Sequence, residues 1–229
     1  QCQHAYWIPL IVDEAHGAHF GFSPEFPENA TRLGADAVIM SVHKTLPAFT
    51  QTALLHLCSD RIAEKKVAQF LGIYETSSPS YILMAGIEKS LQIIEKDREM
   101  LFAAYSRRLA EFRDKTKNLK TLQVLQPSDF SKQEAFSFDP GKLLILTGNS
   151  MSGQALQEIL LREYGLQMEM ASGNYVVAMT SIMDTDEGFA RLSDALECID
   201  GTVRKKEETG VISPREIYRE QKTVMTIDQ

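Results

Sequence analysis

The chain has 229 residues, 44% of them hydrophobic and 24% charged, and its formal net charge is -7. An acidic chain argues against a protein that binds nucleic acid through a broad basic surface. No apolar stretch approaches the ~20 residues that cross a bilayer, and the 3 scattered cysteines have no metal-ligand spacing. These values predict a globular protein of a reducing, cytoplasmic compartment that binds neither nucleic acid nor membrane.

The first part of the chain predicts three strands and a helix. Short runs of apolar and β-branched residues predict the strands, at 6–12, 37–41 and 53–57. Glycines and prolines over 16–28 predict a loop between the first two strands. Ser59 or Asp60 is placed to cap a helix over 61–69.

A long helical stretch follows these elements. A loop at 76–80 precedes the proline-free residues 81–119, whose apolar residues keep helical spacing. The charged cluster at 95–98 predicts a bend or a junction between two helices. We place a domain boundary at this cluster.

Beyond the boundary the predicted order becomes strand, strand, helix, strand, strand, helix. Four apolar runs predict the strands, at 121–125, 143–147, 168–170 and 176–180. Ser152 is placed to cap the first helix and Gly165 to end it. Asp184, with Glu187 three residues on, predicts a capping box for the second helix.

Ionisable residues follow two of the predicted strands. Asp13 closes the first strand, and Lys44 begins the loop after the second. Ligand sites of α/β sheets lie at the carboxyl ends of strands, so the two side chains can converge. Pyridoxal phosphate chemistry requires an acid for the pyridine nitrogen and a lysine that forms an imine. Spacing alone leaves open the alternative that Asp13 caps a helix and Lys44 lies on the surface.

Two other interpretations of these residues are weaker. Residues 12–16 match the box in which helicases hold magnesium, but the chain's only Gly-Lys pair lacks the phosphate-loop pattern. His16, His19 and His43 have no further ligand at metal spacing, so we predict no metal site.

Several motifs, in order along the chain, carry a family resemblance. They are VDEAHGAHF at 12–20, GAD at 34–36, SVHKTL at 41–46, TSSPSY at 76–81, DPGKL at 139–143 and GLQMEM at 165–170. In these motifs the chain resembles the Orn/Lys/Arg decarboxylase family. The resemblance implies the α/β architecture of fold-type-I pyridoxal phosphate enzymes, the aspartate aminotransferase superfamily. In it, part of a large, mostly parallel-sheet domain is followed by a smaller α+β domain.

The same resemblance implies a division of the chain. Residues 1–95 would be the C-terminal part of the large cofactor-binding domain, 96–120 a connecting helix, 121–210 the small domain and 211–229 a tail. The family's phosphate-binding loop and ring-stacking group would precede Gln1. We therefore expect a fragment of a longer chain that binds the cofactor poorly by itself.

The resemblance also implies roles for single residues. Lys44 would form the internal aldimine with pyridoxal 5'-phosphate, and Asp13, buried, would pair with the protonated pyridine nitrogen. His16 would lie beside the cofactor as a third catalytic residue. The other implied cofactor contacts are Ala15 on one ring face, Ser41 and His43 near the phosphate, and Ser77 and Ser78, whose loop reaches the neighbouring subunit's site.

The implied activity is decarboxylation of a basic amino acid to its amine, as in polyamine biosynthesis. Arginine, lysine and ornithine are the candidate substrates, and a homodimer or higher homo-oligomer is implied. Another activity of the same fold, as an aminotransferase or carbon–carbon lyase, is an alternative. A non-catalytic paralogue that keeps the fold is a further one.

Overall fold

A computed structural model describes residues 8–75, 78–129 and 137–203 of the chain. Its first sheet has the order β1-β2-β3. The strands are β1 (Ile11–Asp13), β2 (Ala37–Ser41) and β3 (Ala53–Leu57). β1 pairs with β2 in parallel and β3 pairs with β2 antiparallel, so this part of the sheet is mixed. The second and third strands have the predicted bounds, whereas the first is shorter and starts at Ile11.

Two helices accompany this sheet, and the second begins later than predicted. A single turn, α1 (Val42–Thr45), directly follows β2, and α2 runs over Glu64–Tyr74. The predicted cap at Ser59 or Asp60 is wrong, because the Ser59 hydroxyl hydrogen-bonds to the buried carboxylate of Asp36. Arg61 donates to the same carboxylate at 2.9 Å. These contacts hold the chain at the end of β3, so the helix starts beyond them.

The helical stretch after the 76–80 loop is one helix, α3 (Tyr81–Thr116), of 36 residues. Ser80 caps it by accepting a hydrogen bond from the Leu83 amide at 3.4 Å. The predicted junction between two helices at 95–98 is wrong. Ile94 and Phe102 lie on the same buried face, and most of the charged cluster between them faces solvent. Charge here marks the exposed side of a helix, and no glycine or proline occurs between residues 87 and 116 to break it.

The second sheet is antiparallel, and its order is β4-β5-β7-β6. Its strands are β4 (Gln123–Val124), β5 (Lys142–Leu146), β6 (Met170–Ser172) and β7 (Tyr175–Met179). A short 3-10 helix spans Pro127–Asp129, and the sheet's two helices are α4 (Gly153–Tyr164) and α5 (Asp186–Thr202). The predicted order of strands and helices is confirmed.

The helix ends in this half test the capping predictions. Ser152 accepts from the Ala155 amide at 3.1 Å, and Gly165 ends α4 with a φ of 63°, both as predicted. The capping box at Asp184 is wrong, because Thr185 is the residue that directly precedes α5. Its hydroxyl accepts from the Gly188 amide at 3.1 Å, while Asp184 accepts from the Ser181 amide.

One apolar core joins the first sheet, α3 and the second sheet. Phe26, in the loop after β1, stacks on Tyr105 of α3 with 5.2 Å between ring centroids. The Phe26 ring also packs edge-on against Phe102, with 5.6 Å between the ring centroids. This packing fixes the loop that carries His16 and His19 against α3. The predicted division into domains stays a prediction, and the 211–229 tail lies outside the described residues.

None of the helices in the described ranges is both long and apolar enough to cross a membrane.

Candidate active site

The carboxyl ends of β1 and β2 lie at the same edge of the first sheet. Asp13 lies beside Ile39 in the pairing of β1 with β2. Because these two strands are parallel, the segments that follow them leave the sheet in the same direction. The Glu14 amide still donates to the Ile39 carbonyl at 2.8 Å, and α1 begins directly after Ser41. This topology brings the loop after β1 and the residues of α1 together, as the strand pattern predicted.

Lys44 meets His16 at this edge. The Lys44 Nζ lies 3.0 Å from His16 Nε2, and both residues are half-buried. Burial lowers the pKa of His16, and the positive charges of Lys44 and Lys142 lower it further. Glu169 and Asp13 act in the opposite direction but do not outweigh them. His16 is therefore neutral near pH 7, and its Nε2 accepts a hydrogen bond from the lysine.

Asp13 lies at the same edge but is exposed, not buried as expected. β1 is the outer strand of the described sheet, so the side chain at its end has no neighbouring strand on one side. Its Oδ1 accepts a hydrogen bond at 3.0 Å from the amide of the half-buried Ala15. This local turn orients the carboxylate. The buried acid of the motif is Glu14, whose Oε1 accepts from the Ala30 amide and whose pKa is raised by burial.

The two residues expected near a phosphate flank the start of α1. Ser41 is the N-cap residue, and its side chain makes no capping hydrogen bond. His43 Nδ1 lies 2.9 Å from the Thr52 carbonyl, so that nitrogen carries the proton and Nε2 stays available. Ser78 is exposed in the segment before α3, and Ser77 lies outside the described residues.

A second group of polar residues reaches this site from the other half of the chain. Lys142 Nζ donates to the His16 carbonyl at 3.3 Å and to Asp139 Oδ2 at 2.9 Å. His19 Nε2 lies 3.3 Å from Asp139 Oδ1. Sequence reasoning gave Asp139 and Lys142 no role and considered His19 only as a metal ligand. The signal that could have found them is an acid and a lysine three residues apart, directly before a predicted strand.

The charges in this group are strongly coupled. Burial by itself raises the pKa of Asp139, but the hydrogen bond and charge of His19, with those of Lys142, outweigh it and lower the pKa to about 2. The carboxylate is therefore ionised at all ordinary pH values. Within the described ranges, no three His, Cys, Asp or Glu side chains cluster as metal ligands would.

The groups at the sheet edge fit pyridoxal phosphate. Lys44 supplies an amine beside a neutral hydrogen-bond acceptor, and Asp13 supplies a carboxylate with one oxygen, Oδ2, beyond its turn contact. Ala15, between Asp13 and His16, is small enough to lie against a flat ring. An amine, a carboxylate and a small side chain at one edge are what this cofactor needs from its protein.

Solved structures share this fold. The chain superimposes on the constitutive lysine decarboxylase of E. coli with a TM-score of 0.70 and 18% identity, covering 85% of this chain and 33% of that one. It superimposes on alanine–glyoxylate aminotransferase of Nostoc sp. with a TM-score of 0.64 and 15% identity, covering 86% and 55%. The fold is that of the fold-type-I pyridoxal phosphate enzymes, as the sequence predicted.

Residues 1–187 match the family model for the Orn/Lys/Arg decarboxylase major domain. The chain belongs to this family. It is 36% identical over 176 residues to the uncharacterized protein YaaO of Bacillus subtilis, covering 76% of this chain and 36% of the relative. It is 26% identical over 212 residues to the arginine decarboxylase of Bacillus cereus, covering 92% and 46%. The chain thus spans less than half the length of these relatives.

Proposed function

We propose that this chain serves the pyridoxal phosphate-dependent decarboxylation of a basic amino acid to its amine, a step of polyamine biosynthesis in the cytoplasm. Arginine, lysine and ornithine are the candidate substrates. Family membership supports the reaction class. The observation that carries the proposal is the Lys44–His16 pair, 3.0 Å apart at the same sheet edge as Asp13.

Each residue at the edge has a defined task in this proposal. Lys44 would hold the cofactor through Nζ, Asp13 would pair with its pyridine nitrogen, and Ala15 would lie against its ring. Ser41 and His43 would bind near its phosphate. When bound, pyridoxal phosphate withdraws the electron pair that the departing CO2 leaves on the α-carbon. Asp13 supports that role because its negative charge keeps the pyridine nitrogen protonated.

The proposed task of His16 is to accept the proton of the Lys44 amine and to return it. Only a neutral amine is a nucleophile, and an ammonium must first lose a proton to a nearby base. His16 Nε2 is at hydrogen-bond distance from Nζ, and the lowered pKa leaves that nitrogen unprotonated, so that it can accept a hydrogen bond from the amine. We therefore assign His16 as the acceptor of the Lys44 proton and as its donor when the proton returns.

One alternative activity has an observation in its favour. The fold is shared with an aminotransferase as well as with lysine decarboxylases. The two activities differ in their products, because decarboxylation releases CO2 and an amine whereas transamination releases an oxo acid. Product analysis with each basic amino acid separates them. Absence of both products would favour the non-catalytic paralogue.

The test compares the protein that carries this sequence with its Lys44→Ala variant. We expect the unaltered protein to absorb visible light with pyridoxal phosphate and to form an amine from one of the three substrates. Lys44→Ala should lose both signals, and Lys115→Ala, an exposed lysine on α3 paired with Asp194, should keep them. Decarboxylation retained by Lys44→Ala would contradict the assignment.

We also propose that the protein works as a homodimer. Large apolar side chains are exposed on both sides of the loop that contains Ser78, among them Tyr74 at 81%, Tyr81 at 80% and Ile82 at 72%. Helix α2 has no buried residue in this chain. We name this surface the α2–α3 face and define it by Phe70, Ile73, Tyr74, Tyr81 and Ile82. A second copy that covers it would bring the Ser78 loop to the neighbouring site.

A further inference from the structure

The turn that begins β5 is tied to the backbone of the candidate site. Lys142 Nζ lies 3.3 Å from the His16 carbonyl oxygen and 2.9 Å from Asp139 Oδ2. His16 in turn holds the Lys44 amine through its ring. One chain of contacts therefore leads from the second sheet to Lys44. Residues of β5 are more than a hundred positions away from His16 in sequence, so only the fold creates this connection.

Asp139 is the centre of this connection, and both oxygens of its carboxylate have hydrogen-bond partners. Oδ1 accepts from the Gly141 amide at 2.9 Å and lies 3.3 Å from His19 Nε2, while Oδ2 accepts from Lys142. The side chains of Asp139 and His19 are only 10% and 2% exposed. A buried ion pair with these hydrogen bonds has a defined geometry, unlike a pair on the surface.

The turn itself is anchored in the core. The Thr180 hydroxyl donates to the Gly141 carbonyl at 2.8 Å and shares a hydrogen bond with the buried Tyr105 hydroxyl. Arg113 of α3 donates to the Pro140 carbonyl at 2.9 Å. Because α3 and the residue that follows β7 both hold this backbone, the turn provides a fixed point to which the His16 loop is attached.

We propose that Asp139 and Lys142 are positioning residues that act through His16 on Lys44. Asp139 fixes the Lys142 ammonium, the ammonium fixes the His16 carbonyl, and the fixed backbone keeps the imidazole in contact with Nζ. The consequence for Lys44 rests on the proposed function; the consequence for His16 does not. Four charged groups face the imidazole, from four parts of the fold: Lys44 in α1, Lys142 in β5, Glu169 before β6 and Asp13 at the end of β1.

The first measurement needs no cofactor. The His16 imidazole is titrated by NMR in the unaltered chain and in Lys142→Met, with its signal identified by its loss in His16→Gln. Removing the Lys142 charge should raise the pKa of His16, because that charge lowers it at present. Glu169→Gln should shift the pKa the other way. Lys142→Arg should restore the pKa of His16, and Lys115→Met, at an exposed position of α3, should not alter it.

The second measurement follows Lys44. In the full-length protein that carries this sequence, the rate at which visible absorbance develops with pyridoxal phosphate should fall on the order of tenfold in Lys142→Met, since a misplaced reacting group costs rate steeply. Lys142→Arg should recover most of that rate, and Lys115→Met should react like the unaltered chain. If Lys142→Met does not fold, Lys142→Gln replaces it, because it removes the charge but keeps a donor for Asp139.

Two results would overturn the inference. A His16 titration that is the same in Lys142→Met and Lys115→Met would show that the contact does not control the imidazole. A shifted titration with an unchanged rate would show that the imidazole does not govern Lys44. If the full-length protein that carries this sequence never reacts with pyridoxal phosphate, the proposed function fails, and the His16 titration still decides whether Lys142 positions the imidazole.

Discussion

The Asp13 carboxylate is oriented at the sheet edge by a hydrogen bond that the Ala15 amide donates to Oδ1. Asp13→Asn preserves an oxygen for this bond but removes the negative charge. We expect the variant to fold normally and to lose most of its turnover, because the pyridine nitrogen would no longer be held protonated. Circular dichroism and the rate of amine formation measure the two effects. An unchanged rate would exclude the proposed pairing.

Asp139 predicts a dependence of stability on pH. Its pKa is about 2 in the folded chain against an ordinary value of 3.8. A carboxyl whose folded pKa is lowered stabilises the fold above pH 3.8, and the contribution is lost as the pH falls through about 2. The difference corresponds to about 2 kcal/mol at neutral pH. The free energy of unfolding of Asp139→Asn should therefore be lower than that of the unaltered chain by this amount.

Urea unfolding of the unaltered chain and of Asp139→Asn, between pH 7 and pH 3, measures that contribution. The gap between the two proteins should narrow toward the acid end. Asp194→Asn is the matched control, because Asp194 forms an exposed ion pair with Lys115 and should contribute little at any pH. A gap that is independent of pH would contradict the assignment of the ionised carboxylate.

The turn at the start of β5 makes a prediction at the scale of the element. A Cβ on Gly141 would overlap the Tyr105 hydroxyl and would lie 3.1 Å from Asp139 Oδ1. Both neighbours are held by hydrogen bonds and cannot easily move. Gly141→Ala should therefore lower the free energy of unfolding by about 1–3 kcal/mol, as overpacking of a filled site does.

Gly201→Ala is the control for this prediction. Gly201 lies in the last turns of α5, and nothing would meet its added Cβ within 4 Å. Alanine is the better helix former, so this variant should be unchanged or more stable by up to about 1 kcal/mol. Thermal unfolding of both variants gives the comparison. Equal effects at the two glycines would show that the turn is not tightly packed.

At the scale of the whole molecule, the α2–α3 face predicts the oligomeric state. A second copy on this face should give a dimer in sedimentation velocity, and Tyr74→Glu with Ile82→Glu should dissociate it, because buried charges without partners oppose association. Met183→Glu changes an exposed apolar residue outside the face and should leave the dimer intact. Unaltered sedimentation of the double variant would contradict the assignment.

The strands and helices of this chain follow closely from local sequence. Residues 37–41 and 53–57 became strands with the predicted bounds, and α4 begins after Ser152 and ends at Gly165. Hydrophobic periodicity and end signals are local properties, so the sequence contains them directly. The later start of α2 was not visible, because it depends on a contact of Ser59 with the distant Asp36.

By itself the sequence determined that Asp13 lies at the end of one strand and that Lys44 comes after the next, and from this we predicted that one sheet edge carries both. Only the tertiary structure decided what surrounds them: His16 on the Lys44 amine, an exposed Asp13, and Lys142 on the His16 backbone. The reason is physical. A strand's end is set by neighbours along the chain, whereas burial, charge coupling and hydrogen bonds between residues 16 and 142 arise only when the two sheets pack around α3.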